Sequence, residues 1–191
     1  MPANDPGQIL RLPKKHAPNA APPPDPALGE RLWRAQSLRD AMLAAMITVI
    51  LFCVFWSLLS SLRDRVLPWL TVLLGLLIGL AVRRAGRGLD WRFPLLAAVA
   101  TLLGALAGNV VVAASFTAGE LGTDIFTVLG KVTSLTWPAF FDRVVTAADV
   151  IYALTGAAIA AFYANRRLTR QQYAAVRTWQ AQKDEPKQAT S

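Results

Sequence analysis

GLLIGLAVRRAGRGLDWRFPLLAAVATLLGALAGN, Gly75 to Asn109, is an apolar run, a basic turn containing two glycines, and a second apolar run. The apolar residues come in long blocks rather than stripes at helical period. The solvent such blocks suit is a bilayer, not a water-facing core. The turn is too short to carry the chain back across a membrane. The two runs therefore read as an antiparallel hairpin with Arg83, Arg84, Arg87 and Arg92 at its bend.

Working outward, Ala41 to Leu59 is uncharged and long enough to span. Ser37-x-x-Asp40 offers a capping box near its start. Arg63-Asp64-Arg65 then forces a return, with Pro68 suited to the first turn of the next helix and Trp69 at the level of an aromatic belt. Asp90 can cap the helix that follows the basic turn, with Pro94 in its first turn. A last apolar run, Ala147 to Tyr163, follows the possible capping box Thr146-x-x-Asp149. The predicted fold is all-α and polytopic, with four transmembrane helices at 40–62, 67–82, 93–116 and 146–164 inside a membrane domain at 40–164. The second is short, so it stands untilted or the bilayer thins around it.

The flanks are polar. Residues 1–25 are rich in Pro, Ala and Asn, have no apolar periodicity and no signal-peptide core, and predict a disordered tail. Residues 26–39 place Leu28, Leu32 and Trp33 on a narrow face, which predicts an interfacial amphipathic helix started by Asp25-Pro26. Residues 117–143 hold Glu120, Asp124, Lys131 and Asp142, so they do not span. Their apolar positions Ile125, Phe126, Val128, Leu129 and Val132 predict a short surface helix, and Trp137, Pro138, Phe140 and Phe141 an interfacial entry to the last span. Residues 165–191 form a basic tail that extends the last helix and frays over its final ten residues.

Orientation follows from counting Lys and Arg in each connecting segment. The N-terminal tail has 6, the first link 2, the central turn 4, the third loop 2 and the C-terminal tail 6. Both termini and the central turn are therefore expected in the cytoplasm. The net charge of +8 then belongs to helix flanks that meet anionic lipid head groups rather than to nucleic acid.

One cysteine, Cys53, and one histidine, His16, lie far apart. That pair leaves no disulfide, no zinc site and no Cys/His nucleophile arrangement. No metal or cofactor is expected. The acids are scattered and no serine stands in a nucleophile context, so no enzyme is expected either.

Gly75-x-x-x-Gly79 and Gly104-x-x-x-Gly108 permit close backbone approach on neighbouring helices, within one chain or between copies. At about 1.5 Å per residue, Ser57, Thr71, Asn109 and Asp149 fall roughly 5–9 Å outward of the midplane, with Tyr152 close below Asp149. They are expected to meet in one hydrogen-bonded cluster with Asn109 facing Asp149. An intramembrane carboxylate is a candidate for proton, ion or ligand handling. Asp149 as a mere helix cap is the competing account. Arg83, Arg84, Arg87 and Arg92 are candidate contacts to lipid head groups, or simply a topology anchor. Gly86-x-Gly88 has no strand before it, so a dinucleotide-binding reading fails.

The turn GLLIGLAVRRAGRGLDWRF, the segment LLGALAGN and the later ADVIYALTGAAIAAFYANRRLT together resemble a group of small, uncharacterised bacterial membrane proteins. That group pairs a G-x-x-V/I-R-x-x-G-x-G-x-D turn with a later D-x-L/I-F/I-Y segment. The resemblance covers about residues 71–170 and carries over Gly79, Arg83, Gly86, Gly88, Asp90, Gly108, Asn109, Asp149 and Tyr152. The chain departs from the pattern at Phe162-Tyr163-Ala164-Asn165. The resemblance implies a bacterial inner membrane and a four-helix bundle, and no activity. The expected function is a non-enzymatic membrane interaction or scaffold protein. Its partners would be the bilayer, anionic head groups, and another membrane protein or a second copy. The alternative is a subunit of a transporter or channel using the outer polar cluster.

Overall fold

The computed structural model describes residues 24–63, 65, 67–131 and 145–188. They form seven helices: α1 Pro26–Arg34, α2 Leu38–Arg63, α3 Leu70–Gly86, α4 Arg92–Leu121, α5 Ile125–Lys131, α6 Ala147–Ala164 and α7 Arg170–Gln188. The expected N-terminal tail up to residue 23, Val132, and the aromatic positions Trp137, Pro138, Phe140 and Phe141 lie outside the described residues. The chain divides into two units, one of residues 33–167 and one of the flanking segments.

Residues 33–167 build a bundle in which α3 and α4 form the centre and α2 and α6 the flanks, with α5 against α4. Its core is Trp56, Leu70, Leu74, Ile78, Val82 and Val112, all essentially without solvent exposure. Helix directions follow from the glycines. A Cβ added to Gly75 would stand 2.1 Å from the Gly156 carbonyl oxygen, and one added to Gly79 2.7 Å from that of Ala160. The two contacts run in the same order along both chains, so α3 and α6 are parallel. Likewise the Cys53 thiol sits 4.0 Å from the Gly104 carbonyl. One turn further on, the Trp56 ring covers Gly108. Hence α2 and α4 are parallel to each other and antiparallel to the first pair.

Three helices are long and apolar enough to cross a membrane: α2 with 26 residues, α4 with 30 and α6 with 18. Large apolar side chains on α2 point outward, Leu51 at 65% and Leu58 at 63% exposure, as a lipid-facing surface requires. The sequence predicts four such helices. The second expected span, 67–82, instead appears as α3, which begins at Leu70 and has 17 residues. Its late start has a local cause. Leu70, Thr71 and Val72 donate to the carbonyls of Leu67, Pro68 and Trp69, so the entry is a tightened 3₁₀ turn and not α-helix.

The caps differ from expectation in informative ways. Thr146 and Asp149 form the full reciprocal box, with Thr146 N–H donating to Asp149 Oδ2 at 2.9 Å. Ser37 makes only half of one. Its hydroxyl accepts from Asp40 N–H at 3.2 Å, while its own N–H goes to the Gly86 carbonyl at 3.0 Å. Asp90 accepts from Trp91 N–H at 2.8 Å, and α4 starts without a side-chain cap. Thr127 hydroxyl and N–H bond the Asp124 carboxylate ahead of α5 and hold its pKa below the usual range.

In the other unit, Asp25 accepts from Ala27 N–H at 2.9 Å and starts α1. Gly29 of α1 lies against Ala175 of α7, where a Cβ would come within 2.3 Å of the carbonyl oxygen. The expected extension of the last span into the tail does not form. Asn165 turns extended at φ −77°, ψ 141°, and α7 is a separate helix with its own Thr169-x-x-Gln172 box. It runs to Gln188, past the point where fraying was expected.

Candidate anion-binding site

The basic turn is held from two sides. Gly86 ends α3, and its carbonyl takes Ser37 N–H. Leu89 N–H donates to the Gln36 side-chain oxygen at 3.0 Å. On the opposite side, Arg166 N–H donates to the Gly88 carbonyl at 3.0 Å. These bonds tie the turn to the chain entering α2 and to the chain leaving α6. Phe93 fills the space over both glycines, 2.7 Å from a Cβ at Gly86 and 2.0 Å from one at Gly88, so neither position admits a side chain.

Because α3 and α6 are parallel, their C-termini arrive together. Around that point lies an open surface hollow of about 630 Å³ lined by Leu80, half-buried Arg83 and Arg166, and exposed Arg84, Arg87 and Arg167. Among the described residues, no carboxylate lines it. Each of the two helix ends carries roughly half a negative charge, which offsets only about one of the five guanidinium charges. The hollow is therefore strongly positive. Planar guanidinium forks match phosphate and carboxylate oxygens in bidentate geometry.

Arg87 adds a conformational observation. It sits just past α3 with φ 50° and ψ 32°, the position at which helices usually place glycine. A non-glycine residue there costs about 1–2 kcal/mol. Glycines stand on both sides of it in the sequence, yet the left-handed position itself is an arginine. Strain held at such a place points to a role for the side chain.

Of the four arginines singled out from sequence, the structure brings Arg83, Arg84 and Arg87 together. Arg92 stands apart: it opens α4, is 67% exposed at its side chain, and pairs with Asp90 at 3.5 Å. Arg166 and Arg167 were counted only as tail charge. The signal that places them is topological, since alternating helix directions bring the end of α6 beside the end of α3.

The opposite end of the bundle holds the polar positions expected in the outer half of the membrane. Ser57, Thr71, Asn109 and Asp149 are buried, whereas Tyr152 is 38% exposed. No hydrogen bond joins any two of these five among the described residues, and Asn109 does not bond Asp149. Asp149 is occupied instead as the cap of α6 through Oδ2. Its other oxygen, the Trp56 indole N–H and the Ser60 hydroxyl are buried and have no hydrogen-bond partner among the described residues. Sequence reasoning missed Trp56 and Ser60, because both fit an apolar span and only packing shows them enclosed.

Among the described residues, no cluster of His, Cys, Asp and Glu is placed to hold a metal ion. Comparison with protein families, curated proteins and solved structures finds no match.

Proposed function

We propose that this chain is a non-enzymatic, multi-pass protein of the bacterial inner membrane that engages a phosphate-bearing anion at its cytoplasmic face. The observation that carries the reading is the convergence of five arginines on one cavity that no carboxylate lines. Phosphate at the head-group level of an anionic leaflet is the abundant ligand that such a set complements.

The reading takes α3 as a fourth crossing with both termini inside. Counted from Leu67, where its 3₁₀ turn begins, α3 is long enough for roughly 30 Å, close to the hydrocarbon thickness. Its packing against α2, α4 and α6 supports the same placement. The basic turn and the basic segment after α6 then share the side favoured for Lys and Arg, and the resemblance of residues 71–170 favours a bacterial inner membrane.

A transporter or channel subunit working through the outer polar positions is the weaker reading, since those side chains share no hydrogen bonds. The test is calorimetric titration of the detergent-solubilised full chain with inorganic pyrophosphate at low salt. Saturable binding, weakened at least tenfold by Arg83→Gln with Arg166→Gln, is expected. Absence of saturable binding to the unmutated chain contradicts the proposal.

A further inference from the structure

The arginine cavity is not isolated. A second hollow of about 590 Å³ runs along the outside of α2 and α3 and shares Leu80 and Arg84 with it. Phe52, Phe55, Leu73 and Leu77 form much of its wall. Thr48, its one hydroxyl, donates to the Ala44 carbonyl at 2.7 Å and brings no free donor. A charged hollow thus borders an apolar trough, and Leu80 and Arg84 line both.

Resting on the reading of the arginine cavity as a phosphate site, we infer that the two hollows together seat one phospholipid. Its phosphate lies among the arginines and an acyl chain lies in the α2–α3 trough. Length supports this. From Arg84 back to Leu73 the trough follows α3 for roughly 16 Å, close to half of the 30 Å hydrocarbon core, which is the depth of one leaflet. Direction supports it too, because the trough starts at the charged end and runs inward, as a lipid of the same leaflet does.

The comparison within the molecule is sharp. A similar apolar hollow of about 420 Å³ lies between α2 and α4, lined by residues such as Met46, Leu103 and Ala107, and no charged residue lines it. Ordinary bulk lipid can cover that face. The α2–α3 trough, unlike the α2–α4 hollow, borders the arginine-lined hollow.

Charge selects the head group. Five guanidinium groups, offset by about one charge from two helix ends, are under-used by a phosphodiester with a single negative charge. A phosphomonoester carries about −1.5 to −2 and presents three oxygens. The lipid class is therefore a phosphomonoester lipid such as a phosphatidic acid, bound in preference to a phosphodiester lipid such as a phosphatidylglycerol.

Native mass spectrometry of the full chain in mild detergent tests this, with dioleoyl phosphatidic acid and dioleoyl phosphatidylglycerol as probes and pyrophosphate titration run beside it. Leu77→Trp fills the trough from an exposed position and is expected to lower phosphatidic acid retention about tenfold while pyrophosphate still binds. Leu103→Trp in the α2–α4 hollow is expected to change neither. Undiminished phosphatidic acid retention in Leu77→Trp overturns the lipid seat and leaves the arginine reading standing. Loss of pyrophosphate binding by the unmutated chain overturns the arginine reading, and the seat with it. Equal retention of phosphatidylglycerol overturns the phosphomonoester preference. Should Leu77→Trp also lose pyrophosphate, its fold is disturbed, and Leu73→Trp is read in its place against the same outcomes.

Discussion

The backbone N–H of Arg166 donates to the carbonyl oxygen of Gly88 across 3.0 Å. Through that bond the segment after α6 is fixed against the turn after α3. Side chains some 80 positions apart in sequence thereby come to line one chamber. Arginines that each look like ordinary flank charge come to line one hollow. The parallel packing of α3 and α6 makes the bond possible, and that packing in turn depends on Gly75, Gly79, Gly156 and Ala160.

Arg87→Gly should separate stability from binding. Removing the Cβ from a residue at φ 50° relieves strain and is expected to stabilise the fold by about 1 kcal/mol. The same change removes one guanidinium from the chamber and should weaken pyrophosphate binding. Chemical denaturation in detergent and calorimetric titration read the two effects. A variant that loses stability shows that the left-handed position is not strained.

The glycines should rank by what a Cβ would meet. Gly75→Ala pushes into the backbone of Gly156, which cannot yield, and should cost about 1–3 kcal/mol or more. Gly104→Ala meets a Val49 methyl at 2.9 Å, a softer neighbour, and should cost less. Gly119→Ala meets nothing within 4 Å and should gain up to about 1 kcal/mol, since it adds helix propensity alone. Denaturation midpoints of the three variants check the order.

At the far end, Ser60→Ala removes a hydroxyl that is fully buried and unbonded among the described residues. It should be neutral or stabilising by up to about 1 kcal/mol, because an orphaned polar group is a cost and not a support. Asp149→Ala breaks a complete capping box and should destabilise by about 1 kcal/mol. Different signs for these two buried polar sites are expected in one unfolding assay. A large loss from Ser60→Ala means the hydroxyl has a partner that this account omits.

Much of the bundle was legible because apolar blocks of spanning length leave a bilayer-sized helix few alternatives. The hairpin of residues 75–109 and the capping box at Thr146 needed only local chemistry, and sequence carries that directly. The start of α3 was misplaced because a tightened turn at Pro68 looks like helix in sequence. The break at Asn165 was missed because Thr169-x-x-Gln172 competes with a run of good helix formers, and composition favours the run. Asn109 and Asp149 were placed at similar depth but do not bond, since depth along a helix says nothing about which way a side chain faces. Arg92 and Arg166 exchanged roles for a related reason. Membership of the chamber depends on which helix ends are neighbours, and that is a tertiary fact.

The crossing of α3 is testable by thiol labelling in a Cys53→Ala background. With a membrane-impermeant reagent applied from outside, Arg65→Cys and Thr123→Cys should react while Trp91→Cys and Asn165→Cys should not. If α3 does not cross, Arg65→Cys and Trp91→Cys label alike, and the four-span topology fails.

In the proposed reading the five arginines act as one binding site and not as a diffuse basic surface. Pyrophosphate affinity of Arg166→Gln compared with Arg92→Gln, each as a single substitution of equal charge change, tests it most directly. A charge-assisted bond is worth about 1.5–3 kcal/mol, so Arg166→Gln should weaken binding by about tenfold or more. Arg92→Gln, outside the chamber and paired with Asp90, should leave affinity within about twofold. Equal losses from both substitutions would contradict the account.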